Sequence, residues 1–214
     1  MNADDLARFL RANPQFFDQN PELLETIHVP HPYGGRAIPL AERQTVALRE
    51  KARQLEGKLA ELMQFGQEND AISEKVHRLA VALVGARDFP ALARSLYFHL
   101  REDFAVPHVV LRVWGKAVPA DFEEAEAVDT KQREQAGLMA APQCGPAQGN
   151  VFTPWFRDAA EHIRSIALVP LGQTALFGLL ALGSEDPKRF YPEMGSLYLR
   201  RIGELCAAGV TARL

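Results

Sequence analysis

The sequence predicts an α+β fold: an antiparallel sheet flanked by helices, preceded by a helical extension and a long coiled-coil helix. Three observations carry that reading. Two short apolar runs, Ile166–Leu171 and Leu176–Leu182, are split by the polar turn Gly172–Gln173–Thr174 and read as a buried hairpin. HVVLRVW (108–114) alternates as a strand does, with Val109, Leu111 and Val113 on one face and Val110, Arg112 and Trp114 on the other. Helix-period segments lie before and after these strands. Such an order, with strands and helices segregated and not alternating as βαβ units, fits an antiparallel sheet covered on one or both faces.

The chain opens with short helices over residues 2–27. Asn13-Pro14 and Asn20-Pro21 each pair a capping side chain with a proline suited to a first helical position, so both predict helix starts. Leu6, Phe9, Leu10, Phe16, Phe17, Leu23, Leu24 and Ile27 are too many apolar groups for this segment to hide alone. Residues 28–38 (HVPHPYGGRAI) carry His, Pro and Gly breaks and predict an irregular connector.

A long charged helix follows Pro39. Ala41, Leu48, Leu55, Leu62, Asn69 and Val76 recur every seven residues, and Thr45, Ala52, Leu59, Gly66 and Ser73 fall four positions later in each heptad. The first seam is apolar and the second holds small or polar side chains. This predicts a two-stranded coiled coil of modest stability, with Leu48, Leu55, Leu59 and Leu62 at the dimer interface and Asn69 as a register-setting polar residue. The competing reading is a single helix lying on its own domain, but a helix charged on its other sides gains little from that. Periodicity continues through Leu79, Leu83 and Val84 and breaks near Gly85. Asp88 is placed to cap a further helix holding Phe89, Leu92, Leu96, Leu100 and Phe104, which Pro107 ends.

After the 108–114 strand, residues 116–137 are acidic and polar and predict a weak strand or an exposed segment. Pro142, Gly145, Pro146 and Gly149 predict a structured loop holding Cys144, and a short helix is expected around Trp155–Ala160. The chain ends on a helix-period segment. The division that results is a short-helix extension (1–38), a dimerisation helix (39–78) and the sheet domain (79–214).

Bulk properties narrow the function. The chain has 214 residues, 47% of them hydrophobic, and a net charge of −3. It can build a sizeable core, and it lacks the basic stripe of a general nucleic-acid or membrane-surface binder. Its two cysteines, Cys144 and Cys206, are far apart and not in a CxxC pair, which fits free thiols in a reducing compartment. The N-terminus, with Asp4 and Asp5, does not read as a signal peptide, and no apolar run reaches the ~18–20 residues of a membrane span. A cytoplasmic protein is expected.

The segment from about 74 to 214 resembles a GAF domain on LVPLG (168–172), GLLALGSED (178–186) and Phe190 opening the last helix, although PAS-like domains share parts of this pattern. The resemblance implies a mostly antiparallel sheet, often with a small-molecule cavity above it. The whole chain resembles a narrower group, the bacterial DUF484 family, whose members have no assigned function. The matching runs are NPQFF (13–17), PELL (21–24), PH (30–31), GG (34–35), LAERQ (40–44), QCG (143–145), PL (170–171), GSEDP (183–187) and YLRRI (198–202). That resemblance implies a GAF-like body with an N-terminal helical extension. In some bacteria the family's gene lies beside that of a tyrosine recombinase that resolves chromosome dimers, which suggests a protein partner.

Candidate chemistry is sparse. A pocket is expected between the sheet and residues 138–160, lined by Arg112, Trp114, Cys144, Trp155 and Phe156. Arg112 could grip a carboxylate or phosphate bidentately or extend to water at the sheet edge. The aromatics could line a cavity or be ordinary core. Cys144 resembles the loop thiols of GAF-type free-methionine sulfoxide reductases, but that chemistry needs a second, resolving thiol. Cys206 falls on the apolar stripe of the terminal helix and reads as core. His28 and His31 form HxxH with no second cluster, too few ligands for a metal site. His162 reads as a helix-end cap before a pocket donor. No phosphate-cradling, zinc-hydrolase, serine-triad or calcium-loop motif is present, and no cofactor or metal is expected. Three readings remain: a non-enzymatic GAF-like regulatory or interaction module sensing a small ligand; a scaffold with a filled pocket acting through a protein partner; and a cysteine-dependent redox enzyme.

Overall fold

The computed structural model describes residues 2–29, 38–115, 118–172 and 175–214, in two units, Met1–Gln67 and Glu68–Leu214. The first unit begins with α1 (Ala3–Ala12), α2 (Phe16–Gln19) and α3 (Glu22–Thr26). A capping box opens α1: Asp5 N–H donates to Asn2 Oδ1 at 2.8 Å and Asn2 N–H donates to Asp5 Oδ2 at 3.2 Å. Asn13 and Asn20 end helices where the sequence predicts starts. Their side-chain amides donate back to the Phe9 and Phe16 carbonyls, each at 2.9 Å. Asparagine tolerates the irregular terminal backbone, and the proline that follows blocks continuation of the helix.

The connector is more regular at its ends than expected. β1 (His28–Val29) pairs antiparallel with β2 (Ile38–Pro39). His31 and the rest of 30–37 lie outside the described residues. The Gln173–Thr174 part of the hairpin turn does too.

Helix α4 (Leu40–Gly85) runs from the first unit into the second. In the second unit α5 (Phe89–Glu102) starts as predicted, with Asp88 Oδ1 accepting from Ala91 N–H at 2.8 Å. The sheet comprises β3 (His108–Val113), β4 (Gln143–Pro146), β5 (Ser165–Leu171) and β6 (Gly178–Ser184), antiparallel throughout and ordered β3-β6-β5-β4. Strand alternation sorts the side chains. Val109, Leu111, Val113, Ala167, Val169, Leu171, Leu180 and Leu182 join one core with α4, α5 and the terminal helix α7 (Leu197–Thr211). Ile166, Leu168, Leu179 and Ala181 face the other way, beneath Phe152, Trp155, Phe156 and Ile163.

Four elements differ from expectation. The acidic stretch is not a strand: it holds a 3₁₀ turn, Glu123–Ala125, and α6 (Thr130–Gly137), which Asp129 caps through Gln132 N–H at 3.0 Å. Cys144 sits in an edge strand and not in a loop. Pro146 closes that strand, a position where the missing N–H costs no ladder bond. Phe190 is buried in the segment before the last helix, which starts only at Leu197, beyond Pro192 and Gly195. The expected short helix near Trp155 is a 3₁₀ segment, Thr153–Ala159.

Candidate functional site

The side chains that gather at the outer edge of β3 form the candidate site. Arg112 is buried on the face of the sheet away from α7, only 4% exposed. Its Nη1 donates to the Leu111 carbonyl at 3.3 Å and to the Glu123 carbonyl at 2.9 Å. Its Nη2 donates to the Glu126 carboxylate. The Trp155 ring centroid lies 5.8 Å from the guanidinium carbon, within cation–π range. The 3₁₀ turn Glu123–Ala125 is what delivers both oxygen partners to this strand.

A second cation meets the same carboxylate. Arg157 Nη2 lies 3.1 Å from Glu126 Oε2, and Arg157 Nη1 lies 3.7 Å from Glu123 Oε1. Arg157 has φ 51° and ψ −123°, a left-handed backbone rarely adopted outside glycine and one that marks stored strain. The bond from Arg157, then the charge of Arg112, hold the Glu126 carboxyl below its ordinary value, so Glu126 is an anion at neutral pH.

Behind this pair lies a buried carboxylate. Glu124 is 5% exposed and accepts from the Tyr97 hydroxyl at 2.8 Å. Burial, then the charge of Glu124, push the Tyr97 phenol far above its usual value, which keeps it a neutral donor.

Trp155 is locked by its neighbours. Its Nε1 donates to Gln132 Oε1 at 3.1 Å, and Gln132 Nε2 donates to the Val151 carbonyl at 2.8 Å. Asn150 Oδ1 accepts from Phe152 N–H at 3.0 Å, and Thr153 Oγ1 donates to the Ala147 carbonyl at 2.7 Å. These short polar links bend 147–160 over the sheet.

Arg112, Trp155 and Phe156 are thus brought together. Trp114, half-buried at the end of β3, packs on the same apolar cluster. Cys144 is not with them. It stands opposite Ala167 in the β4–β5 ladder, and residues directly opposite in a ladder share a face, so its half-buried thiol packs on the helix-covered core. Most of the space between the sheet and 147–160 is filled by Phe152, Trp155, Phe156 and Ile163. What remains is a cleft of about 300 Å³ at the β3 edge, lined by Tyr97, His108, Arg112, Trp155, Phe156 and Arg157 among others. On the opposite side of the sheet, a groove of about 740 Å³ runs between residues 139–142 and α7.

Both cysteines are free. Burial raises the Cys144 thiol above its ordinary value and pushes Cys206 up to about 12. His28 Nδ1 bonds the Thr26 carbonyl at 2.8 Å, and His162 is exposed on a turn. Among the described residues no three His, Cys, Asp or Glu side chains stand close enough to hold a metal ion. In the first unit, Leu48, Leu55, Leu59 and Leu62 are all more than half exposed along α4, beside Met63 and Phe65.

Sequence reasoning found Arg112 and Trp155 and missed Glu126, Arg157, Glu124, Tyr97 and Gln132. One signal was available. An arginine flanked by apolar residues on a half-buried strand needs a counter-charge, and Glu123, Glu124 and Glu126 are acids close to it in sequence.

The fold and this edge site define an α+β module with a four-stranded antiparallel sheet, flanking helices and a polar, ion-paired cleft. The chain belongs to the DUF484 family, described as a protein of unknown function, whose model matches residues 1–211. It is similar to the uncharacterized protein YigA of Salmonella typhimurium, 24% identical over 202 residues, covering 91% of this chain and 84% of the relative. The YigA proteins of Shigella flexneri and Escherichia coli K12 match at 25% and 24% identity over the same lengths.

Proposed function

We propose that this protein is a non-enzymatic GAF-like interaction module, dimerised through the first part of α4 and acting in the cytoplasm through a protein partner. One observation carries the reading: four leucines at heptad positions, Leu48, Leu55, Leu59 and Leu62, stay exposed on a highly charged helix. Covering a row of leucines on one helix face is favourable, and a second copy supplies a matching seam. With the leucine series at d positions, Lys51 at g faces Glu56 at e of a parallel partner, an attractive pair in both directions. That pair favours a parallel, in-register dimer.

The packed aromatic layer over the sheet favours an adaptor over a sensor with an enclosed cavity. A cysteine-dependent redox reaction is disfavoured by the two raised thiols, since attack requires thiolate. Gene neighbourhood in the family makes a tyrosine recombinase the first partner to test. Among the described residues no helix is long and apolar enough to cross a membrane.

Light scattering tests the assembly. The wild-type chain should show twice its 23.7 kDa mass, and Leu55→Asp should reduce it to the monomer mass while the far-UV spectrum stays helical. A wild-type monomer, or a Leu55→Asp dimer, would defeat the reading.

A further inference from the structure

Arg112 and Glu126 hold each other unequally. The Arg112 guanidinium is buried, its Nη1 is spent on two backbone carbonyls, and Trp155 lies beside it. That anchoring fixes where Nη2 points. Glu126 has no such anchoring: its side chain is 51% exposed, and it follows a single 3₁₀ turn. Rotation about its side-chain bonds would carry the carboxylate into water without disturbing the backbone. Arg157, 57% exposed, turns to the same carboxylate oxygen from the other side. Two guanidinium groups therefore converge on one exchangeable carboxylate.

The cleft beside them is shaped for the rest of a molecule. Its roughly 300 Å³ sits at the small end of ligand pockets. Its lining is largely polar, with Arg101, Glu123 and Arg157 among it, and Trp155 and Phe156 supply the aromatic surface it has. His108 lines it as well, with its Nε2 turned to Glu185 Oε1 at 3.8 Å.

We propose that this cleft binds a small aromatic carboxylate, and that Glu126 is its internal competitor. The ligand's carboxylate takes the place of Glu126 between Arg112 and Arg157, and its ring lies against Phe156 and Trp155. A buried guanidinium must stay paired, so the exchange of one carboxylate for another preserves its compensation. The planar, bidentate geometry of guanidinium groups suits a carboxylate. A phosphate dianion would bring a second charge beside Glu123 and Glu124, which disfavours it.

Fluorescence reads the exchange. The chain has two tryptophans, Trp114 and Trp155, so a Trp114→Phe background leaves Trp155 as the reporter. The probes are benzoate and its neutral isostere benzamide at equal concentrations. Benzoate should give a saturable change and benzamide none. Freeing the site from a resident that occupies it most of the time should tighten apparent binding about tenfold, so Glu126→Gln should bind benzoate about that much more tightly. Glu126→Asp, too short to bridge the two arginines, should tighten it in the same direction, and Arg157→Gln should weaken it. Thermal melts check that each variant is folded. Equal responses to benzoate and benzamide, no saturable response even in the Glu126 variants, or folded Glu126 variants that bind no tighter than their parent would each overturn the proposal.

Discussion

The two ends of helix α4 carry one repeat and use it differently. Leu48, Leu55 and Leu62 stand more than half exposed, whereas Val76 and Leu83, in the same seven-residue series, are 8% and 2% exposed. Between them Asn69 marks the change: its carbonyl accepts from the Tyr198 hydroxyl at 2.9 Å, and Ser73 Oγ lies 3.0 Å from the same hydroxyl. From there the helix packs on α5 and α7, and Leu79 is fully buried. A heptad repeat therefore identifies an apolar face and not what covers that face. In the second unit the chain supplies the cover; in the first we propose that another copy does.

The largest effect should come from the buried end. Leu79→Ala leaves a cavity in the core, and such changes cost ~2–5 kcal/mol. Urea denaturation of the second unit should show that loss while the dimer mass persists. An equal loss from Leu62→Ala in the same transition would erase the contrast.

Next is the clamp that ends α4. Arg213 Nη2 donates to the carbonyls of Leu83 at 2.8 Å and Ala86 at 2.7 Å, and Nη1 donates to Gly209 at 3.0 Å. These are C-terminal carbonyls of two helices, where a cation is favourable. Arg213→Met should cost ~1–3 kcal/mol and speed amide exchange around residues 83–88 before it affects residues 48–62.

A smaller contribution is pH-dependent. The bond from His99 holds the Asp103 carboxyl below its ordinary value; burial opposes it, and the bond and charge of Arg78 on α4 add to the lowering. The folded value is depressed, so the stabilisation is present above the ordinary carboxylate pKa and is lost as pH falls through the folded value. For a partly exposed pair it amounts to ~0.2–1 kcal/mol. Asp103→Asn should flatten stability against pH in that acid window only, as read by denaturation at successive pH values.

The thiols give the smallest signal. Cys144 should alkylate slowly, gaining rate with pH only beyond the ordinary thiol range, and Cys206 should stay unmodified until the fold is lost. Intact-mass analysis after timed alkylation separates the two sites.

Legibility in the sequence followed pattern strength. β3, β5 and β6 could be read because their alternation or apolar runs are long enough to stand out, and α5 because Asp88 caps a clear stripe. β4 was missed because Gly145 and Pro146 read as a loop, though an edge strand tolerates both. α6 was missed because it buries little beyond Ala136, so it has no stripe to detect. Arg112 was visible as a charge among apolar neighbours. Glu126 and Arg157 were not, because their meeting depends on the 3₁₀ turn at Glu123 and the strained backbone at Arg157, neither of which has a sequence signature.

Covalent capture of the seam tests the central claim most directly. In a parallel, in-register dimer Leu55 faces its own copy, so Leu55→Cys should form a reducible covalent dimer under mild oxidation, and Leu48→Cys and Leu62→Cys should do the same. Glu61→Cys, on the charged side of the helix, should remain monomeric on the same non-reducing gel. Efficient cross-linking at Glu61→Cys with none at the three leucine positions would contradict the claim that this seam pairs with a second copy.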